Sequence, residues 1–246
     1  DYSDDILDFD ILNLCNKERF LEIIHDFIVF DAGVKKTCRH NQYFGIKASQ
    51  ARVATGEGGI VWHTQGSGKS LTMVWLAKWI RENTDDARVL LVTDRTELDE
   101  QIEGVFHGVD EEIYRTKSGA DLVAKLNEAE PWLLCSLVHK FGRQGGDDSE
   151  DKATSQYLEE LTNSLPANFS AKGNVFVFVD ECHRTQSGKM HAAMKAILPT
   201  ASFVGFTGTP LLKQDKQNSI EVFGSFIHTY KFDEAVADGV VLDLHY

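Results

Sequence analysis

HTQGSGKS, residues 63–70, is the stretch on which the fold turns. It lies between a short apolar run, GGIVW (58–62), and KSLTMVWLAKWIRE (69–82), where Met73, Val74, Leu76, Ala77 and Ile80 recur at helical spacing. A strand that turns through glycines into a helix aims backbone N–H groups and the positive helix end at one point, which suits phosphate. Gly66 and Gly68 permit the turn, with Thr64, Gln65 and Ser67 completing the cradle. Lys69 can neutralise β/γ phosphates, and the Ser70 hydroxyl can ligate Mg²⁺. The general signature G-x-x-x-x-G-K-[ST] begins with glycine, and this chain has His63 there. That glycine only eases the exit from the strand, so the phosphate-holding half is intact.

Outward from this loop the same texture repeats. RVLLVT (88–93), WLLCSL (132–137), NVFVFVDE (174–181) and ASFVGFT (201–207) read as buried strands, separated by helical patterns such as TELDEQIEGVF (96–106) and MHAAMKAIL (190–198). Near-continuous apolar strands alternating with helices imply an α/β fold: a mostly parallel sheet covered on both faces. VFVFVDECHR (175–184) ends a buried strand in Asp180–Glu181, at the carboxyl edge where parallel sheets bind ligands. Asp180 is placed to hold Mg²⁺, and Glu181 to polarise an attacking water. Alone, the pair could be a helix-capping turn. Some 110 residues downstream of the loop in the same alternation, it reads as the second half of an NTP site.

The rest bounds the class. Apolar residues make up 42% of the 246, enough for a core, and no run reaches a membrane span. No leader pattern opens the chain, so a cytoplasmic protein with no membrane partner is expected. Cys15, Cys38, Cys135 and Cys182 form no C-x-x-C pair, so packed, reduced thiols are expected. The net charge of −13 argues against nucleic acid at first sight, but residues 1–31 carry nine acids against Lys17 and Arg19. The remainder is only mildly acidic, so composition does not decide the partner. NKERFLEIIHDFIVFD (16–31) reads as one helix, with Phe20, Leu21, Ile23, Ile24, Phe27 and Ile28 on a face and Asn16 as N-cap. RQGGDDSEDKATSQ (143–156) has no apolar spacing and reads as a mobile loop.

HTQGSGKS, VTDRTELDEQ (92–101), DECHR (180–184) and GFTGTP (205–210) resemble, in order and spacing, motifs I, Ia, II and III of superfamily-two helicases. The flanks VWHTQGSGKSLTMVWLA, DECHRTQSGKMHAAM and YKFDEAVADGVVLDLHY resemble the motor (R) subunit of type I restriction–modification enzymes, a family that also writes the loop with histidine. The resemblance covers residues 16–246. It implies an ATP- and Mg²⁺-dependent translocase on double-stranded DNA, built from two RecA-like domains and assembled with modification and specificity subunits and a nuclease domain. It implies further roles residue by residue. Gln42, in RHNQYFGIKAS, would read adenine, although it could instead be an ordinary exposed loop residue. Thr207 and Thr209, with His183, would couple hydrolysis to DNA grip, His183 through a bond to the GFTGTP strand rather than to metal. Arg95, Ser136 and Lys140 would face the DNA backbone, although Arg95 could instead pair with Glu97 or Asp99, and Lys140 could be an ordinary solvated residue.

The expected organisation is a linker and helical arm over 1–38 and the first motor domain over 39–246, cut from a larger protein. The second motor domain and the nuclease are expected outside this chain. The only E-x-K, Glu150–Lys152, falls in the polar stretch and lacks the strands a nuclease needs to hold metal. Arg184 is the last arginine, so the arginines that complete such sites are expected in the second domain. Two other classes remain open: the motor of a different superfamily-two enzyme (a type III restriction subunit or a helicase), and an interaction module whose loop is only structural. Strand displacement would mark the first rival, and failure to bind nucleotide the second.

Overall fold

The computed structural model describes residues 11–31, 33–93, 103–108, 111–137, 147–183, 185–209 and 220–242, with backbone alone at 31, 137, 147–154 and 185–190. Its centre is a seven-stranded sheet in the order β5-β6-β4-β7-β8-β3-β9. The strands are β3 (Gly59–His63), β4 (Ala87–Thr93), β5 (Tyr114–Arg115), β6 (Leu133–Leu137), β7 (Asn174–Val179), β8 (Ser202–Thr207) and β9 (Phe226–Tyr230). Every neighbouring pair is parallel.

The strands alternate between two apolar layers because side chains of a strand point to opposite faces. Val89 and Leu91 of β4, Phe176 and Phe178 of β7, and Val204 and Phe206 of β8 join one layer, with Met73, Val74 and Leu76 of helix α3 (Lys69–Asn83). Leu90 and Val92, Val177 and Val179, and Phe203 join the other. That second layer is covered by Leu122 of α4 (Gly119–Leu126), Tyr157 and Leu161 of α5 (Asp147–Asn163) and Met194 of α6 (Thr185–Ile197). Burial on both faces is why these strands read as unbroken apolar runs.

Three expectations need correction. The arm helix, α1 (Lys17–Asp26), does carry the Asn16 cap, whose Oδ1 accepts from the N–H groups of Glu18 and Arg19. It stops at Asp26, however. Ile28–Asp31 is strand β1, paired antiparallel with β2 (Val34–Thr37) through a turn at Gly33, φ +79°. The run Ile28-Val29-Phe30 is β-branched and aromatic, and it follows strand preference once a turn is available. The polar stretch at 143–156 is not a loop throughout: from Asp147 it belongs to α5. Burial of Tyr157 and Leu161 in its second half fixes it. Glu150–Lys152 therefore sits on a helix, not a strand. Third, strand β9, which the sequence reading omitted, extends the sheet beyond β3.

Among the described residues no helix is long and apolar enough to cross a membrane. The four cysteines form no disulfide, and Cys135 and Cys182 are buried.

Candidate functional site

The sheet order places the carboxyl ends of β7, β8 and β3 side by side. Val179 of β7 pairs with Gly205 of β8, and Thr207 of β8 pairs with Trp62 of β3. Residues 64–70, 180–183 and 208–209 therefore leave the sheet along one edge. Backbone bonds fix the exits: Asp180 N–H donates to Val92 O at 3.0 Å, and Cys182 N–H to Phe206 O at 3.0 Å.

The phosphate loop starts only after His63, which is still in β3. Its turn is made at Gly66 and Gly68, with φ +83° and +88°, values that L side chains resist. Within the loop, Ser67 N–H and Ser67 Oγ both donate to Thr64 O, at 3.2 and 2.6 Å. Lys69 and Ser70 open α3, both half-buried, while Gln65 stays exposed. A Cβ built on Gly208 would come within 2.5 Å of Lys69 Nζ and 3.3 Å of Gln65 N. The ammonium thus already rests against the turn that follows β8, and only glycine leaves that space open.

Asp180 is 4% exposed at the end of β7. Glu181 has φ +46°, a left-handed backbone rarely adopted by a residue with a side chain. His183 Nδ1 lies 2.9 Å from Thr207 Oγ1 and 3.4 Å from Glu181 Oε2. Thr209 N–H donates to Thr207 Oγ1 at 3.2 Å. Polar groups thus line up from Glu181 past His183 to Thr207 and Thr209, with hydrogen-bond contact from His183 onward. The donor set fits Mg²⁺: Ser70 and the buried Asp180 offer hard oxygen ligands.

Gln42 opens α2 (His40–Ala54) and is 3% exposed. Its Oε1 accepts from Arg39 N–H at 2.8 Å, and its Nε2 donates to Gly68 O at 2.9 Å. The amide is thereby locked against the loop, with one N–H and one lone pair not used by these bonds. Ser136 is 1% exposed, and its hydroxyl is 2.6 Å from Tyr157 Oη. It points into the layer under α5, so that hydroxyl does not face a DNA backbone in this conformation. Arg95 and Lys140, with Glu97 and Asp99, lie outside the described residues.

Sequence reasoning missed the other side of the loop. His63 Nε2 is 2.9 Å from His228 Nδ1 of β9, and Thr64 N–H donates to Tyr230 O at 3.0 Å. Burial pushes the His63 imidazole down to about 3, helped by His228 and Lys69. The one available signal was histidine at the glycine position of the loop signature. Nothing in the sequence pointed to its partner. Far from the loop, at the other end of α3, ligand atoms of His25, Asp26 and Glu82 come within 4.8 Å of one another on the surface.

A phosphate loop, a strand-end acid pair and a threonine turn on one edge of an all-parallel sheet define a P-loop NTPase domain of superfamily-two motor type. Residues 41–246 match the family model described as SWI2/SNF2 ATPase. The chain belongs to that family. It is 33% identical, over 98% of its length, to a putative type I restriction enzyme endonuclease subunit (MjaIXP) of Methanocaldococcus jannaschii. It is 30% identical over its whole length to the HindI type I endonuclease subunit of Haemophilus influenzae. The chain spans 22% and 24% of those curated relatives. Among solved structures it is similar in fold to a nuclease-deletion mutant of the Type ISP restriction–modification enzyme LlaGI bound to a DNA substrate mimic (TM-score 0.59, 14% identity, 83% of this chain and 21% of that one). A second is the Sulfolobus solfataricus SWI2/SNF2 ATPase core with dsDNA (TM-score 0.55, 12% identity, 87% of this chain and 40% of that one).

Proposed function

We propose that this chain is the first motor domain of a type I restriction enzyme R subunit, binding and hydrolysing ATP to drive translocation along double-stranded DNA. The observation that carries the reading is the convergence of Lys69, Asp180–Glu181 and Thr207–Thr209 on one sheet edge. The identity to type I endonuclease subunits selects this reading over other superfamily-two motors.

In this reading residues 1–38 are the arm and 39–246 the motor domain. Backbone N–H groups of Thr64–Gly68 hold the phosphates, and Lys69 balances their charge. Ser70 and Asp180 hold Mg²⁺, which when bound neutralises charge on the β/γ oxygens. Glu181 orients the water. Gln42 meets adenine with the amide groups its two bonds leave over. His183 relays the state of Glu181 to Thr207 and Thr209, which face the track. Arg95 and Lys140 contribute to DNA grip, together with backbone and hydroxyl donors, so an acidic chain can still hold a phosphate backbone. Modification and specificity subunits are the partners, and the cytoplasm is the compartment.

The test is ATP turnover by the full-length polypeptide containing this chain, with and without duplex DNA, for wild type and Lys69→Ala. DNA-stimulated turnover that the variant abolishes supports the reading. Turnover unaffected by Lys69→Ala would refute it.

A further inference from the structure

The generic phosphate loop has no side chain at its first position, and here that position carries a fully buried imidazole. His63 is 0% exposed. Its ring packs edge-on to His228 and to Tyr230, with centroids 5.1 and 6.0 Å away. The space for the ring is kept by Gly45 of α2: a Cβ there would stand 2.8 Å from His63 Cε1 and 2.9 Å from Nε2. Helix α2 also carries Gln42, whose Nε2 holds Gly68 O at the other end of the loop.

Three ties join the loop to β9 and the segment after it. The first is the bond between His63 Nε2 and His228 Nδ1. The second is Thr64 N–H to Tyr230 O. The third is apolar: Val241, folded back by N–H bonds of Val240 and Val241 to Ala235 O, sits where a Cβ on Gly66 would be 3.3 Å from its Cγ1. Asp238 locks that returning segment, accepting from Tyr230 Oη at 2.8 Å and pairing with His40 Nε2 at 3.0 Å. The loop's own bonds, by contrast, are those from Ser67 to Thr64. A loop whose N–H groups must converge on phosphate gains affinity when it is fixed beforehand.

We propose that strand β9 anchors the nucleotide loop, and that His63 and His228 are positioning residues that set affinity for ATP. His63 directly precedes the loop, and His228 bears on it through the imidazole pair. The inference rests on the ATP reading above and extends it to an edge strand outside the motor motifs.

The test is ATP affinity in the presence of Mg²⁺, by calorimetry on this chain, for wild type, His228→Leu and His228→Asn, with melting temperatures recorded without nucleotide. Leucine keeps the packing and removes the bond, while asparagine restores a polar atom near the Nδ1 position. We expect His228→Leu to raise the Kd about fivefold, the value of one neutral hydrogen bond, and His228→Asn to recover most of it. A role in packing alone would leave the leucine variant within twofold of wild type, and that result would overturn the proposal. Equal weakening in both variants would overturn it too, because the bond would not be what matters. A wild type that fails to bind ATP would instead sink the ATP reading itself, and this inference with it.

Discussion

Lowering the pH from 7 to 5 should destabilise this domain through its buried imidazoles. His191 of α6 is 5% exposed, packed against the rings of Phe203 and Phe223 at centroid distances of 4.5 and 4.6 Å. Burial, and then Lys195, push it down to about 4. His63 is pushed down to about 3. A histidine whose folded value lies below its unfolded one prefers to be charged when unfolded. Its stability contribution is therefore full above the unfolded value, near 6.5, and is lost as pH falls toward the folded one. Between pH 7 and 5 each of these two groups should cost about 2 kcal/mol, or about 4 kcal/mol together. That is a large part of the ~5–15 kcal/mol that holds a domain folded. His228, also lowered by burial, adds in the same direction, whereas His25, raised by Asp26, works against it. The measurement is urea unfolding at half-unit steps from pH 7.5 to 5. His191→Leu should remove about half of the two-residue loss, flattening the curve by about 2 kcal/mol at pH 5. Parallel curves for wild type and variant would refute the argument that His191 is held neutral.

Four other outcomes follow from the geometry. Lys69→Ala in the full-length protein should lose ATP hydrolysis yet keep its circular dichroism, because the ammonium faces Gly208 and the loop rather than the core. Glu181→Gln should still bind ATP, by equilibrium titration, while single-turnover hydrolysis disappears, since the amide keeps the shape and loses the carboxylate. Arg88→Leu should destabilise the domain by about 3 kcal/mol or more in chemical denaturation. Arg88 is 2% exposed and its guanidinium serves five carbonyls, those of Lys125, Leu126, Glu128, Pro131 and Lys172, which would lose that donor, although Lys125 O and Leu126 O keep the N–H groups of Glu128 and Lys172. Gly45→Ala should cost about 1–3 kcal/mol by thermal melting, because its methyl group would press on His63.

Much of this molecule is legible in the letters, for a physical reason. Strands buried on both faces must be apolar throughout, so β4, β7 and β8 announce themselves, and a glycine–lysine loop between a strand and a helix has few other uses. The misreadings share another cause. The first half of α5 carries no apolar spacing, and the helix is held by Tyr157 and Leu161 further on. Strand β9, FIHTY, is half-exposed and mixed in polarity, so it shows neither alternation nor a run. The bond from His63 to His228 joins residues 165 apart, and no local pattern encodes such a pairing. Ser136 looks available as a letter at a strand end, but is buried because a tyrosine from α5 lies over it.

If Glu181 orients the attacking water as proposed, its left-handed backbone sets the protein's durability against its purpose. That conformation suits glycine, or asparagine, better than glutamate. A screen for heat resistance alone would therefore be drawn to position 181, and the substitutions it rewarded would remove the carboxylate beside His183. Variants gathered by stability at this one residue should be sturdier and inert, so any effort to harden the domain must hold position 181 fixed and look elsewhere.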